Sequence, residues 1–136
     1  VRTYSILTLA PAGHPLAGAY AVRRRYSDFD FLVTTLTVRY AGMVIPPLPG
    51  KGGMLSGWSS GFAAERLRGL SLFAERLARI PTLLVDHLAS AFFGLSGADP
   101  WETAIKRAAS NRGDAVNPGL LRWTGLVNKV LLPEDE

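Results

Sequence analysis

Between Ala19 and Tyr40 the spacing of the apolar residues changes with no turn to separate the two patterns. Ala19 to Arg25 reads as a strand, preceded by the proline- and glycine-rich stretch Pro11 to Gly18. From Asp28 onward, Phe29, Leu32, Val33, Leu36 and Tyr40 recur at helical spacing, and that period outweighs the β-branched content. Ser27 and Asp30 have the spacing of a capping box. A strand therefore passes straight into a helix, with further helical patterns downstream.

The junction carries Arg23-Arg24-Arg25-Tyr26-Ser27-Asp28-Phe29. Successive guanidinium groups make a poor core segment and a good anion site, because arginine stays charged and its planar fork matches phosphate oxygens bidentately. An adjacent tyrosine can lay its apolar face on a ring-shaped ligand while its hydroxyl stays wet. The partial positive charge and free amides of a helix N-terminus add to this. The same residues would also serve as a solvated basic strand end.

The chain of 136 residues supports one core, and its apolar content of 48% reads as globular. Beginning at Val1 without a methionine, it is expected to be part of a longer chain with a truncated N-terminus. The absence of cysteine removes disulfides, thiolate metal sites and cysteine nucleophiles, and suits a cytosolic protein. The net charge of +4 is uneven: Arg23, Arg24, Arg25, Lys51, Arg66 and Arg68 fall in the first half, and Glu134, Asp135 and Glu136 close the chain. The basic residues converge on one locus and do not form a long stripe with interleaved aromatics, which disfavours nucleic acid. His14 and His87 lack a carboxylate or nucleophile at usable spacing, no glycine-rich phosphate loop follows a strand, and no metal-ligand spacing appears. The chain is therefore not read as an enzyme, and no cofactor is expected.

Tyr4 to Leu9 is a strand antiparallel to Ala19–Arg25. A two-stranded sheet is marginal, so a third strand is required, either upstream of the chain or within the Pro11–Gly18 turn. Val44 to Gly53 contains three prolines and reads as an exposed polyproline-type segment. Met54-Leu55-Ser56-Gly57-Trp58 has no period that buries it: it is a loop tucked onto the core or one that dips into a bilayer surface. Phe62 to Ile80 is the clearest helix, with Leu70, Phe73, Leu77 and Ile80 in its stripe and Ala63 and Ala74 flanking. Arg66 continues that stripe, so it either snorkels off the edge or points into a polar pocket. Pro81 ends the helix, and a further one runs through Leu84, Val85, Leu88 and Phe92 to about Gly94. Asp99-Pro100-Trp101-Glu102 is a helix start with a cap, a first-turn proline and an acid, burying Trp101, Ile105 and Ala108. Asn117-Pro118 caps a last amphipathic stretch with Leu120, Trp123, Val127 and Val130 on one face, expected as a docked terminal helix or the opening of a further domain.

Taken in order, RRYSDFDFL, PPLPGK and ERLRGLSLFAERL, with their spacing, resemble the layout of a phox-homology (PX) domain over Tyr4 to Leu95. The resemblance implies an α+β fold, a three-stranded antiparallel sheet packed on three to four helices with a polyproline loop. It divides the chain into a PX domain over 1–110 and a C-terminal extension over 111–136. It implies a membrane-targeting module that binds phosphoinositides, most often phosphatidylinositol 3-phosphate, placing the protein in the cytoplasm and peripherally on endosomal membranes. By the same resemblance Arg25 holds the 3-phosphate, Tyr26 stacks under the inositol ring, Lys51 takes the 1-phosphate and Arg66 bonds the 4- and 5-hydroxyls. Arg24 is a secondary basic position, because alternation on a strand points it away from Arg25. Met54, Leu55 and Trp58 fall in the family's membrane-insertion loop.

The stretch ending Ile105-Lys106-Arg107-Ala108 looks like the link to a BAR domain in some sorting nexins, which implies a parent protein that dimerises. The alternative is a protein-interaction PX domain with little lipid affinity. It would bind cargo, coat or Src-homology-3 partners through Pro46-x-x-Pro49 or the C-terminal helix.

Overall fold

The computed structural model describes residues 2–10, 18–50, 60–95, 97–110 and 127–134. Strands β1 (Thr3–Ala10) and β2 (Gly18–Arg25) pair antiparallel from Thr3↔Arg25 to Ala10↔Gly18. Exposure alternates along β2: Tyr20, Val22 and Arg24 face inward, while Ala21, Arg23 and Arg25 face solvent. Helix α1 (Tyr26–Arg39) begins on the residue after β2 and buries Phe29, Leu32 and Leu36, as their spacing predicts. Its start lies two residues before the expected one. Asp28, and not the Ser27–Asp30 pair, closes its N-terminus by accepting the Arg25 backbone N–H at 2.8 Å.

Residues 44–50 are neither helix nor strand, and α2 (Ser60–Ala78) follows with Leu70, Phe73, Ala74 and Leu77 buried. The single helix expected after Pro81 is two short ones, α3 (Pro81–Leu84) and α4 (His87–Phe92). The break is made by Asp86, whose carboxylate accepts from the backbone N–H groups of Leu88 and Ala89 at 2.8 and 3.2 Å and so caps α4. The other carboxylate oxygen takes Arg39 at 2.7 Å and the Tyr40 hydroxyl at 2.8 Å, tying the end of α1 to this corner. Helix α5 (Trp101–Ser110) buries Trp101 and Ala104.

The third strand is β3 (Val127–Glu134), hydrogen-bonded antiparallel to β1, which gives the order β2-β1-β3. The expectation of a docked terminal helix over this stretch is thus overturned, and among the described residues the third strand of the sheet is β3. The cause is non-local. With β2 on one side only, β1 would leave a row of unpaired N–H and C=O groups on its other edge. A segment rich in β-branched and aliphatic residues fits that edge whatever its helical period. Pro133, which lacks an amide, sits where the register shifts between Tyr4 and Ile6.

The core joins sheet to helices through aromatic edges. Phe29 meets Tyr4, Phe73 and Phe92 edge to face at centroid distances of 6.3, 6.0 and 5.0 Å. Gly94, at φ +68°, turns the chain after α4, and a Cβ there would come within 2.4 Å of Val22 Cγ1. The end of α4 therefore rests directly on β2.

Candidate anion-binding site

The direct passage from β2 into α1 puts Arg24, Arg25 and Tyr26 in three different environments. Arg24 faces the helices. Its Nε and Nη2 donate to the carbonyls of Phe92 and Ala91 at 3.0 and 3.1 Å, and its guanidinium lies 5.7 Å from the Phe92 ring centre and 5.2 Å from that of Trp101. Burial lowers its pKa, and the charges of Asp28 and Glu102 partly oppose that shift. Arg24 therefore clamps the end of α4. Arg25 faces the other way, its side chain 55% exposed and 3.8 Å from the Asp28 carboxylate. Asp28 already answers the positive end of α1, so an anion here must be held by side chains more than by free amides.

Tyr26 and Arg66 come together across α1 and α2. The Arg66 guanidinium lies 4.2 Å from the centre of the Tyr26 ring and 4.9 Å from that of Phe62. Arg66 is only 7% exposed, so it neither snorkels nor waves in solvent. Rings contact the faces of a guanidinium, whereas its hydrogen bonds run in its plane, so stacking and acceptor binding are compatible. Burial raises the Tyr26 pKa, with the Arg66 charge acting against it, and the phenol is neutral at physiological pH. Its hydroxyl donates to the Pro49 carbonyl at 2.6 Å in a partly buried bond.

Arg25, Tyr26 and Arg66 thus lie at one end of the sheet, with the last proline of the polyproline segment fastened to Tyr26. Lys51, Met54, Leu55 and Trp58 lie outside the described residues. Three contributors escaped sequence reasoning. Phe62 had a usable signal, since it precedes Arg66 by four residues on one helix face. Asp28 has the three-residue spacing from Arg25 that a capping box requires, but Ser27 and Asp30 share that spacing and Ser27 is the more usual cap. The Pro49 carbonyl had none, because its tie to Tyr26 spans 23 residues.

Among the described residues no group of three or more His, Cys, Asp or Glu side chains could hold a metal ion, and no helix is long and apolar enough to cross a membrane. An open cavity of about 440 Å³ between α1 and α5, lined by Thr34, Thr35, Val38, Arg39 and Ala108, lies away from Tyr26 and Arg66. Arg39, the charged group among its described lining residues, is committed to Asp86.

A strand end that delivers an outward arginine beside a ring-stacked, buried arginine, on a three-stranded sheet backed by helices, defines a class of domain. The PX domain family model matches residues 15–96, and the chain belongs to that family. Among curated proteins it is 32% identical over 126 residues to sorting nexin-7 of Homo sapiens, covering 90% of this chain and 30% of that protein. It is 33% identical over 92 residues to sorting nexin-4 of Eremothecium gossypii, covering 66% of this chain and 22% of that protein. The chain therefore spans less than a third of the relatives it matches. The crystal structure of a designed CISK-PX domain superposes with a TM-score of 0.56 at 32% identity, covering 68% of this chain and 81% of that one.

Proposed function

We propose that this PX domain is a non-catalytic membrane-targeting module of a trafficking protein, and that it recognises a 3-phosphorylated inositol lipid, phosphatidylinositol 3-phosphate, on endosomal membranes. The observation that carries the reading is the Arg66 guanidinium, buried and stacked on Tyr26 beside the outward-facing Arg25. A cation held in place before a ligand arrives loses little side-chain entropy on binding. Arg25 supplies the charge-assisted contact to the 3-phosphate, and Tyr26 presents the ring face opposite its Arg66 contact to the inositol. Arg66 pairs with the 4- and 5-hydroxyls through its in-plane N–H groups. Lys51 is assigned the 1-phosphate, and Met54, Leu55 and Trp58 the second, apolar membrane signal that stable anchoring needs.

The Src-homology-3 alternative loses support from the proline segment. Pro46 is buried and Pro49 is packed against α2, so Pro46-x-x-Pro49 does not offer both prolines to a partner. The deciding experiment is vesicle co-sedimentation across the seven phosphoinositides with the parent chain and Arg25→Ala, with circular dichroism to check that the variant is folded. Selective sedimentation with phosphatidylinositol 3-phosphate, abolished in Arg25→Ala, is expected. Failure of the parent chain to sediment with any vesicle would refute the lipid reading and turn attention to protein partners.

A further inference from the structure

Gly69 sits in the middle of α2, three residues beyond Arg66 and so one turn along the same face. It has no positive φ that would demand glycine, and glycine in a helix interior is about 1 kcal/mol worse than alanine. Its reason lies in a neighbour. A Cβ at Gly69 would stand 2.6 Å from Pro49 Cβ, 2.7 Å from Cγ and 3.1 Å from Cδ. A proline ring has no rotamer by which to move aside, so relief requires the 44–50 segment to shift as a whole. That segment is held from the other side by the Tyr26 hydroxyl on the Pro49 carbonyl, and the Tyr26 ring carries Arg66. Gly69, Pro49, Tyr26 and Arg66 thus close a circuit that begins and ends on α2.

We propose that Gly69 is a positioning residue for the anion site, and that the Tyr26 hydroxyl is its counterpart. The bare α-carbon lets Pro49 seat directly on α2, and the hydroxyl fastens it there. Together they set the distance between the polyproline wall and the Arg66–Tyr26 pair. This inference rests on the lipid reading above for what the site binds. It assigns Tyr26 two separable tasks: the ring supports Arg66 and the ligand, and the hydroxyl holds the wall. Gly69 touches no ligand and acts through Pro49.

The test uses the full chain as parent, Gly69→Ala, Tyr26→Phe and the double variant Gly69→Ala/Pro49→Gly. Two readouts are taken: affinity for vesicles containing phosphatidylinositol 3-phosphate, and amide hydrogen exchange at Val44, Ile45, Leu48 and Gly50. Gly69→Ala is expected to bind at least tenfold more weakly and to exchange faster in this segment, while circular dichroism and exchange in the α2 core stay those of the parent. Tyr26→Phe, which adds no bulk and keeps the ring, is expected to move both readouts in the same direction. The double variant removes the atoms that clash and should bind more tightly than Gly69→Ala alone. Parent-like affinity in Gly69→Ala, or weakened affinity with unchanged exchange at residues 44–50, would overturn the positioning role and leave the lipid reading standing. A parent chain that binds no phosphoinositide vesicle would overturn the lipid reading, and with it the site that Gly69 is said to position.

Discussion

Neighbouring arginines with opposite tasks make the sharpest prediction. Arg24→Ala removes the donors to the Phe92 and Ala91 carbonyls and two aromatic contacts. A carbonyl left without its charged donor costs about 1–3 kcal/mol where water cannot replace it, and each cation–π contact contributes about 0.5–1 kcal/mol. Both bonds are only partly buried and the four contacts share one side chain, so their losses are not additive, and the net cost is about 3 kcal/mol. For a domain of this size that is a fall in Tm of about 12 °C. Arg25→Ala loses a half-exposed side chain and a loose 3.8 Å contact, which costs no more than about 0.5 kcal/mol. Urea denaturation followed by far-ultraviolet circular dichroism gives the two stabilities. Vesicle sedimentation well below both transitions gives binding. Arg24→Ala should be destabilised but bind while folded, and Arg25→Ala should be stable and not bind. Parent-like stability in Arg24→Ala together with lost vesicle binding would refute the reasoning, because it would make Arg24 the ligand contact and its helix-end bonds incidental.

Other outcomes follow from the same geometry. Asp86→Ala strips a fully buried carboxylate from Arg39, Tyr40 and the cap of α4 and should cost about 4 kcal/mol, whereas Asp86→Asn should recover about 1 kcal/mol by keeping a cap acceptor. Equal stability of the two variants, measured by urea midpoint, would show that the cap contributes nothing. Burial and donation to Asp86 push the Tyr40 phenol above its ordinary value of 10.0, and burial raises Tyr26 in the same sense. Both phenols lose their protons more readily in the unfolded chain, so their contribution is full below about pH 10 and is lost as the pH rises beyond it. Tyr40→Phe should flatten the alkaline arm of a stability–pH curve, and an unchanged arm would contradict the assignment. Ser27 is exposed in the first turn of α1. Ser27→Asp should stabilise the helix by about 0.3–0.5 kcal/mol while weakening vesicle binding several-fold, because the carboxylate favours the helix dipole and repels an anionic ligand. Undiminished binding would count against a site beside Arg25.

Much of this architecture was legible because it is written at short range. The period of Phe29, Leu32 and Leu36, the stripe Leu70, Phe73 and Leu77, the stop at Pro81 and the start at Asp99-Pro100 each need only a few neighbouring residues to be read. The alternation along β2 likewise sets Arg24 and Arg25 on opposite faces by their adjacency alone, and the order of motifs carries the family. Tertiary contacts decided the remainder. Val127, Val130 and their neighbours carry a pattern that suits a helix, yet the open edge of β1 makes them a strand. Asp86 splits one apolar run into α3 and α4 because Arg39 and Tyr40 reach it from 47 and 46 residues away. Neither the Tyr26 hydroxyl on Pro49 nor the fit of Pro49 on Gly69 has any mark in the local pattern. Periodicity and capping are properties of adjacent residues and are settled along the chain. Edge pairing, close approach and buried hydrogen bonds depend on which distant groups the fold brings within a few ångströms, and only the packed structure determines that.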